Sequence, residues 1–176
     1  MRTSSKTDNE QILALADKAI EIIKETAVSK TLCRVFDCEV GEDTVTIDGV
    51  TFNSRRLAQN MSGCNKAAVF GATLGIAVDK RIKIASATDV ALAMALQAAA
   101  ADKIEEVCDN LEDTIKAQYG VTLRQRYSPG YFDLDITEQK KFFSLLQLEK
   151  RIGLTLTDTC EMVPTKSVTA FIGMEG

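Results

Sequence analysis

Six consecutive residues, Arg126-Tyr127-Ser128-Pro129-Gly130-Tyr131, bring a cation, two aromatic rings and a turn into one short stretch. The guanidinium of an arginine is a planar fork that grips a carboxylate through two parallel hydrogen bonds. Pro129-Gly130 fixes a turn in which the missing side chain lets a ligand approach the backbone. Tyr127 and Tyr131 offer ring faces that attract an ammonium or sulfonium cation. An amino-acid ligand with a carboxylate, an ammonium and a cationic sulfur would use all of these. The same residues also suit a structural role: the arginine in an ion pair, Pro-Gly as a plain turn, the tyrosines in a core.

Other stretches carry less chemistry. Glu105, Asp109 and Glu112 recur at helical spacing within an acidic cluster that also holds Glu106 and Asp113, a pattern that ordinarily makes a solvated helix face. Glu105 differs because it borders an apolar stripe, one turn after Ala101 and one before Cys108, and so suits the rim of a pocket. Asp133 and Asp135 form a second acidic pair. Gly71-Ala72-Thr73-Leu74-Gly75 lacks the Lys-Ser/Thr of a P-loop and the third glycine of a dinucleotide fingerprint, so it reads as a tight turn between a strand and a helix. The five cysteines contain no C-x-x-C pair and are expected to be free thiols, several of them buried. The chain has no histidine. That removes Ser-His and Cys-His nucleophile pairs, imidazole metal sites and the usual general acid/base at neutral pH, leaving carboxylates, Lys and Tyr for such work.

The elements that must place these groups follow from periodicity. Asp8 to Val28 reads as an amphipathic helix with Ile12, Leu15, Ala16, Ala19, Ile22 and Ile23 on its buried face. Cys33 to Phe36 and the runs on either side of Asp48-Gly49 read as strands, the latter two as a hairpin. Ser54 to Met61 suggests a short helix, and Ala67 to Ala72 a buried strand. From Thr88 to about Tyr119 runs a long helix whose inner face would hold Val90, Ala93, Met94, Gln97, Ala101, Ile104, Cys108, Leu111 and Ile115, ending at Gly120. Its alanine-rich first half is expected to be buried on most sides. Arg124 to Tyr131 is expected as a strand entering the Pro-Gly turn. A single helix should then start at Asp135, with Glu138 completing a capping box, bury Ile136, Phe142, Phe143, Leu145, Leu146 and Leu148, and stop at Gly153. Leu154 to Thr157 and Ser167 to Ile172 add β-prone runs. Hairpin strands mixed with helices that do not alternate regularly imply an α+β fold with a mainly antiparallel sheet.

The composition is that of an ordinary globular chain of 176 residues, 45% hydrophobic and 26% charged, enough for one core-bearing domain. A net charge of −4 argues against general attraction to nucleic acid or to anionic membranes. No apolar run approaches the roughly 20 residues that span a bilayer, and Met1 to Lys6 lack the apolar region of a signal peptide. A cytoplasmic location is the expectation.

Arg126-x-x-Pro129-Gly130-Tyr131 resembles the R-x-x-P-G-Y signature of the S-adenosylmethionine-binding activation domain of cobalamin-dependent methionine synthase. Leu145-Leu146, Gly153 to Thr157, Met162, Pro164 and Ser167-Val168 follow in the family's order. Upstream, Gly63-Cys64, Ala72 to Gly75 and the alanine-rich helix with Glu105 resemble the short, single-domain members of that family. The resemblance covers Cys33 to Gly173 and implies a curved single α+β domain, with a twisted, mainly antiparallel sheet and flanking helices. Residues 1–30 would be an N-terminal helix and 31–176 the activation-domain-like part of one globular unit. It implies that Arg126 binds the carboxylate of S-adenosylmethionine and that the backbone at Tyr127 and Ser128 meets the adenine or the sugar. Pro129 and Gly130 would shape the loop, Tyr131 would line the pocket, and Glu105 matches the family's helix glutamate near the ligand amine. Gly120 stands where the family carries a further glutamate. The implied function is reactivation of a cobalamin-dependent methyltransferase, as a component of that system rather than a complete enzyme. Cobalamin would be carried by the cobalamin-binding domain of the partner, and a flavodoxin- or ferredoxin-like donor would supply an electron. The alternatives are a corrinoid-protein-binding assembly module without S-adenosylmethionine affinity, or a small-molecule enzyme on the same scaffold.

Overall fold

The computed structural model describes residues 4–176; the first three residues of the stretch read for a leader lie outside them. A six-stranded sheet organises the chain. Its strands are β1 (Lys30–Val40), β2 (Thr44–Ile47), β3 (Val50–Asn53), β4 (Lys66–Thr73), β5 (Thr122–Leu123) and β8 (Ser167–Glu175), in the order β3-β2-β1-β4-β8-β5. Every neighbouring pair is antiparallel, so the α+β reading with a mainly antiparallel sheet holds. Two further short strands, β6 (Thr155–Leu156) and β7 (Met162–Val163), pair separately.

The helices are α1 (Ser4–Thr26), α2 (Arg55–Asn60), α3 (Ile76–Thr88), α4 (Val90–Tyr119), α5 (Gln139–Leu146) and α6 (Leu148–Ile152). Strand residues alternate between two cores because successive side chains point to opposite faces. Ala68, Phe70 and Ala72 of β4 meet Ala170 and Ile172 of β8 under α1, α3 and α4. Ala67 and Val69 join Phe171, Phe52 and Phe142 under α2, α5 and α6. Since both faces of β4 are covered, it reads as an unbroken apolar run. The Asp48-Gly49 hairpin forms as expected, with φ of 51° and 76° at its two central residues.

Several expectations need correction. The buried stripe of α4 is Leu92, Ala93, Leu96, Ala100, Ile104, Cys108 and Ile115. Val90 and Met94 are 68% and 70% exposed, and Gln97 and Ala101 also face outward. Small alanines carry little phase information, so the stripe is set by the larger side chains that meet the sheet. On α1, among the residues whose burial is described, Ala19 and Ile23 are buried, while Ile12 and Ala16 are exposed. Only Thr122 and Leu123 are strand in the segment before the Pro-Gly turn. From Arg124 onward the chain runs beside β8, held by Arg124 N–H on Gly173 O and by an isolated bridge, Tyr127 to Phe171. Asp135 caps the start as expected, but the single helix is a 3-10 turn, Ile136–Glu138, followed by two α-helices broken at Gln147 with φ 53°. That break turns Leu148 onto β4, where a Cβ on Gly71 would lie 2.7 Å from Leu148 Cδ2. The capping box is absent: Asp135 Oδ1 accepts from Thr137 N–H at 2.8 Å, while Glu138 pairs with Lys141 at 2.6 Å. Ile136, expected in the core, is 43% exposed. The sequence reading set no bounds for α3 and missed β7.

Candidate functional site

The acidic row of α4 does more than face solvent. Spacings of four and three residues bring Glu105, Asp109 and Glu112 to one side of the helix, and all three converge on Arg126. Arg126 Nη2 lies 2.8 Å from Glu105 Oε2, and Nη1 lies 2.8 Å from Asp109 Oδ1 and 2.9 Å from Glu112 Oε1. Burial works against the Arg126 charge, but the hydrogen bond to Asp109 and the fields of Glu112 and Glu105 outweigh it, so its pKa lies above the ordinary arginine value. Glu112 is the sequestered member, 19% exposed, whereas Glu105 and Asp109 are 59% and 68% exposed.

The loop bearing Arg126 is pinned on both sides. Arg124 N–H donates to Gly173 O at 2.8 Å, and Tyr127 exchanges two backbone hydrogen bonds with Phe171, at 3.0 and 2.9 Å. Arg126, between these anchors, reaches across to α4. Past it, Gly130 N–H donates to Leu134 O at 2.8 Å and Leu134 N–H to Tyr131 O at 3.1 Å, closing a compact turn. Gly130 has φ 90°, a conformation that strains any L side chain, and a Cβ there would sit 3.1 Å from the tip of Ile136.

Asp133 and Asp135 are structural here. The Ser54 hydroxyl donates to Asp133 Oδ1 at 2.5 Å while accepting from Leu57 N–H at 2.9 Å, so one side chain both caps α2 and holds the loop. Arg56 N–H adds a bond of 3.2 Å to Asp133 Oδ2. These contacts, the Ser54 hydroxyl first, hold the Asp133 carboxyl below its ordinary value. Asp135 is lowered chiefly by the Thr137 hydroxyl and then its N–H.

Between α4, α2, the Arg126 loop and β8 lies an open groove of about 880 Å³. Glu105, Arg126, Tyr127, Ser128, Pro129 and Tyr131, all singled out from sequence, line it; Gly130 shapes the turn without lining the groove. Tyr127 is only 7% exposed and burial raises its phenol pKa, whereas Tyr131 is 63% exposed. Sequence reasoning missed the pairing of Asp109 and Glu112 with Arg126, and the walls contributed by Arg56, Gln59, Asn60, Phe132, Gln139 and Thr169. The triad had a legible signal in its spacing. The α2 wall had none, because it reaches the groove only through the fold. Gln139 and Thr169 are both almost wholly buried, joined by a hydrogen bond of 2.8 Å at the groove.

The cysteines are free thiols, four of the five buried. Burial pushes Cys33 and Cys38 up to about 11 and Cys108, behind the acidic row, to about 12, which keeps them protonated at neutral pH. Among the described residues no cluster could hold a metal ion, and no helix is long and apolar enough to cross a membrane.

An α+β domain with a six-stranded antiparallel sheet and a charged groove between its longest helix and a pinned arginine loop is thus defined. The chain belongs to the family described as the vitamin B12 dependent methionine synthase activation domain, whose model matches residues 83–175. That span takes in every site residue named from the sequence. Among solved structures, a crystal structure of the MetH reactivation domain bound to AdoHcy shares the fold at a TM-score of 0.70 and 17% identity. The match covers 95% of this chain and 65% of that one, so this chain spans about two thirds of that protein's length. No curated protein matches the chain.

Proposed function

We propose that the groove binds S-adenosylmethionine and that the protein serves as the reactivation component for a cobalamin-dependent methyltransferase. The observation that carries this reading is Arg126 set among three carboxylates inside a groove of ligand size, since small-molecule pockets run to roughly 300–1,000 Å³. Three carboxylates against one guanidinium leave an excess of two negative charges facing the groove. This surplus suits a ligand with an ammonium and a sulfonium. The family membership and the AdoHcy-bound relative support the same chemistry.

Arg126 is already satisfied by its own neighbours, so a ligand carboxylate must enter by exchange. Glu105 and Asp109 are the exposed partners and can yield; Glu112, largely covered, stays as the anchor. A zwitterionic amino-acid group replaces what it displaces: its carboxylate takes the guanidinium and its ammonium takes the freed carboxylate. A simple carboxylic acid would leave that carboxylate without a partner. When bound, S-adenosylmethionine supplies a methyl group to oxidised cobalamin carried by the partner methyltransferase, and a flavodoxin- or ferredoxin-like donor supplies the electron. The chain's own part is to hold and orient the ligand, which contributes to rate without any acid or base.

Calorimetry with S-adenosylmethionine is the direct test. Saturable binding is expected, with Arg126→Ala weaker by roughly 1.5–3 kcal/mol, the range for hydrogen bonds to charged groups. Undetectable binding at millimolar ligand would sink this reading. The internal satisfaction of Arg126 favours a second one in that event: a corrinoid-protein-binding assembly module in which the ion-pair cluster only stiffens the loop. Co-migration with a cobalamin-binding methyltransferase domain, unaffected by S-adenosylmethionine, would mark it.

A further inference from the structure

Phe132 follows the loop signature directly and is used neither by the fold nor by the amino-acid end of the groove. It is 82% exposed, the most exposed large hydrophobic side chain among the described residues. Its backbone has φ 52°, in the left-handed region that bulky side chains rarely adopt. Among the described residues three other non-glycine residues share this feature. Asp48 closes the hairpin and Gln147 breaks the helix between α5 and α6, while Cys160 is buried in the loop before β7. Phe132 alone spends that conformation on holding a large apolar ring in the open, where burial offsets nothing. Such outliers concentrate at ligand clamps.

The ring is nonetheless held. It stacks on Tyr127, centroids 6.1 Å apart and planes at 28°. Over it lies the guanidinium of Arg56, 5.9 Å from the ring centre. All three side chains line the groove that Arg126 lines. A delocalised cation therefore already lies 5.9 Å over the ring centre, on a long exposed side chain that a flat ligand can displace. A guanidinium and a nucleobase are alike in being flat, polarisable and suited to an aromatic face. A neutral base also sits beside the Arg56 cation without the repulsion that a sulfonium would meet there.

We infer that Phe132, backed by Tyr127 and covered by Arg56, is the platform on which the adenine ring of the ligand stacks. The inference rests on the reading of the groove as an S-adenosylmethionine site and divides its labour: carboxylates and Arg126 hold the amino-acid end, Phe132 and Arg56 the base. The ring is a positioning group, since stacking fixes the plane of the base and so the direction in which the sulfonium methyl points.

Binding of three probes to the full chain tests this: S-adenosylmethionine, adenosine and L-methionine. Phe132→Ala and Phe132→Leu should each weaken S-adenosylmethionine and adenosine by about five- to hundred-fold, the range for removing one base–aromatic stack, and leave L-methionine unchanged. Leucine keeps apolar bulk but has no π face, so wild-type affinity in Phe132→Leu would overturn the platform. Thermal melts of these variants should match wild type, because the ring is exposed. The chain has no tryptophan, so Phe132→Trp places a single indole at the groove. Its fluorescence should be quenched saturably by adenosine and not by L-methionine; an indifferent indole would also overturn the inference. The two readings fail separately. A wild-type chain that binds S-adenosylmethionine while Phe132→Ala binds it equally well refutes the platform alone. Adenosine binding that depends on Phe132, without S-adenosylmethionine binding, upholds the platform and refutes the fuller ligand.

Discussion

On one face of the sheet lie three helices of 23, 13 and 30 residues, packed through alanine, leucine and isoleucine. On the other, helices of six, eight and five residues alternate with turns over a nest of three phenylalanine rings, Phe52, Phe142 and Phe171, with centroids 4.3 to 5.6 Å apart. The first face is regular and held along whole helices. The second is held at points: a cap, a bridge, a buried ring. The groove takes its carboxylates from the regular face and its arginine loop from the irregular one. This division places fixed charges opposite a segment whose geometry depends on a few contacts.

The largest expected effects come from striking each core. Phe171→Ala should cost about 3–5 kcal/mol and Leu96→Ala about 2–5 kcal/mol, both residues being fully buried, read by denaturant unfolding. The informative result is their difference at the groove. Phe171→Ala loosens the strand that pairs with Tyr127 and should weaken ligand binding at temperatures where the fold persists, while Leu96→Ala should not. Equal effects on binding would dissolve the distinction between the faces. Next is Gly130→Ala, expected to cost about 1–2 kcal/mol because a Cβ is forced into a left-handed conformation against Ile136. A wild-type melting curve for this variant would show that the turn can rearrange.

Smaller effects probe the charges. Glu112→Ala should cost about 1 kcal/mol and Glu105→Ala less than about 0.5 kcal/mol, since exposed ion pairs contribute little; a double-mutant cycle with Arg126→Ala measures each coupling. The reverse order would mean that the covered carboxylate is not the anchor. Smallest is the acid response of Asp133. Its pKa is lowered in the folded chain, so its stabilising share is complete above the ordinary carboxyl value of 3.8 and is lost as pH falls through the lowered one. Asp133→Asn should flatten that limb of the acid unfolding curve, and an unchanged limb would place the loop's attachment elsewhere.

The same division explains what could be read from the sequence. The hairpin at Asp48-Gly49, the buried strand β4 and the long helix ending at Gly120 were legible because each is specified by local spacing or a required backbone conformation. Phe142 and Leu146 were placed correctly in a core, yet the break at Gln147 was not, since it answers to the space that Gly71 leaves for Leu148 on a strand far away in sequence. At the site, the arginine loop was legible as a run of special residues. The role of Asp109 and Glu112 was not, because an acidic helix face looks alike whether it meets water or a guanidinium. The wall from Arg56 to Asn60 has no local signature at all.

Helix α4 carries core residues and groove carboxylates on one continuous axis, so the two share a phase. A single residue inserted between Ala100 and Lys103 would leave Leu92 and Leu96 seated and turn everything beyond by about 100°. All three carboxylates would swing off Arg126 together, as no substitution could make them do. The helix works here as a camshaft: core residues from Leu92 to Ile115 fix its angle, and the charges set between them keep time with it.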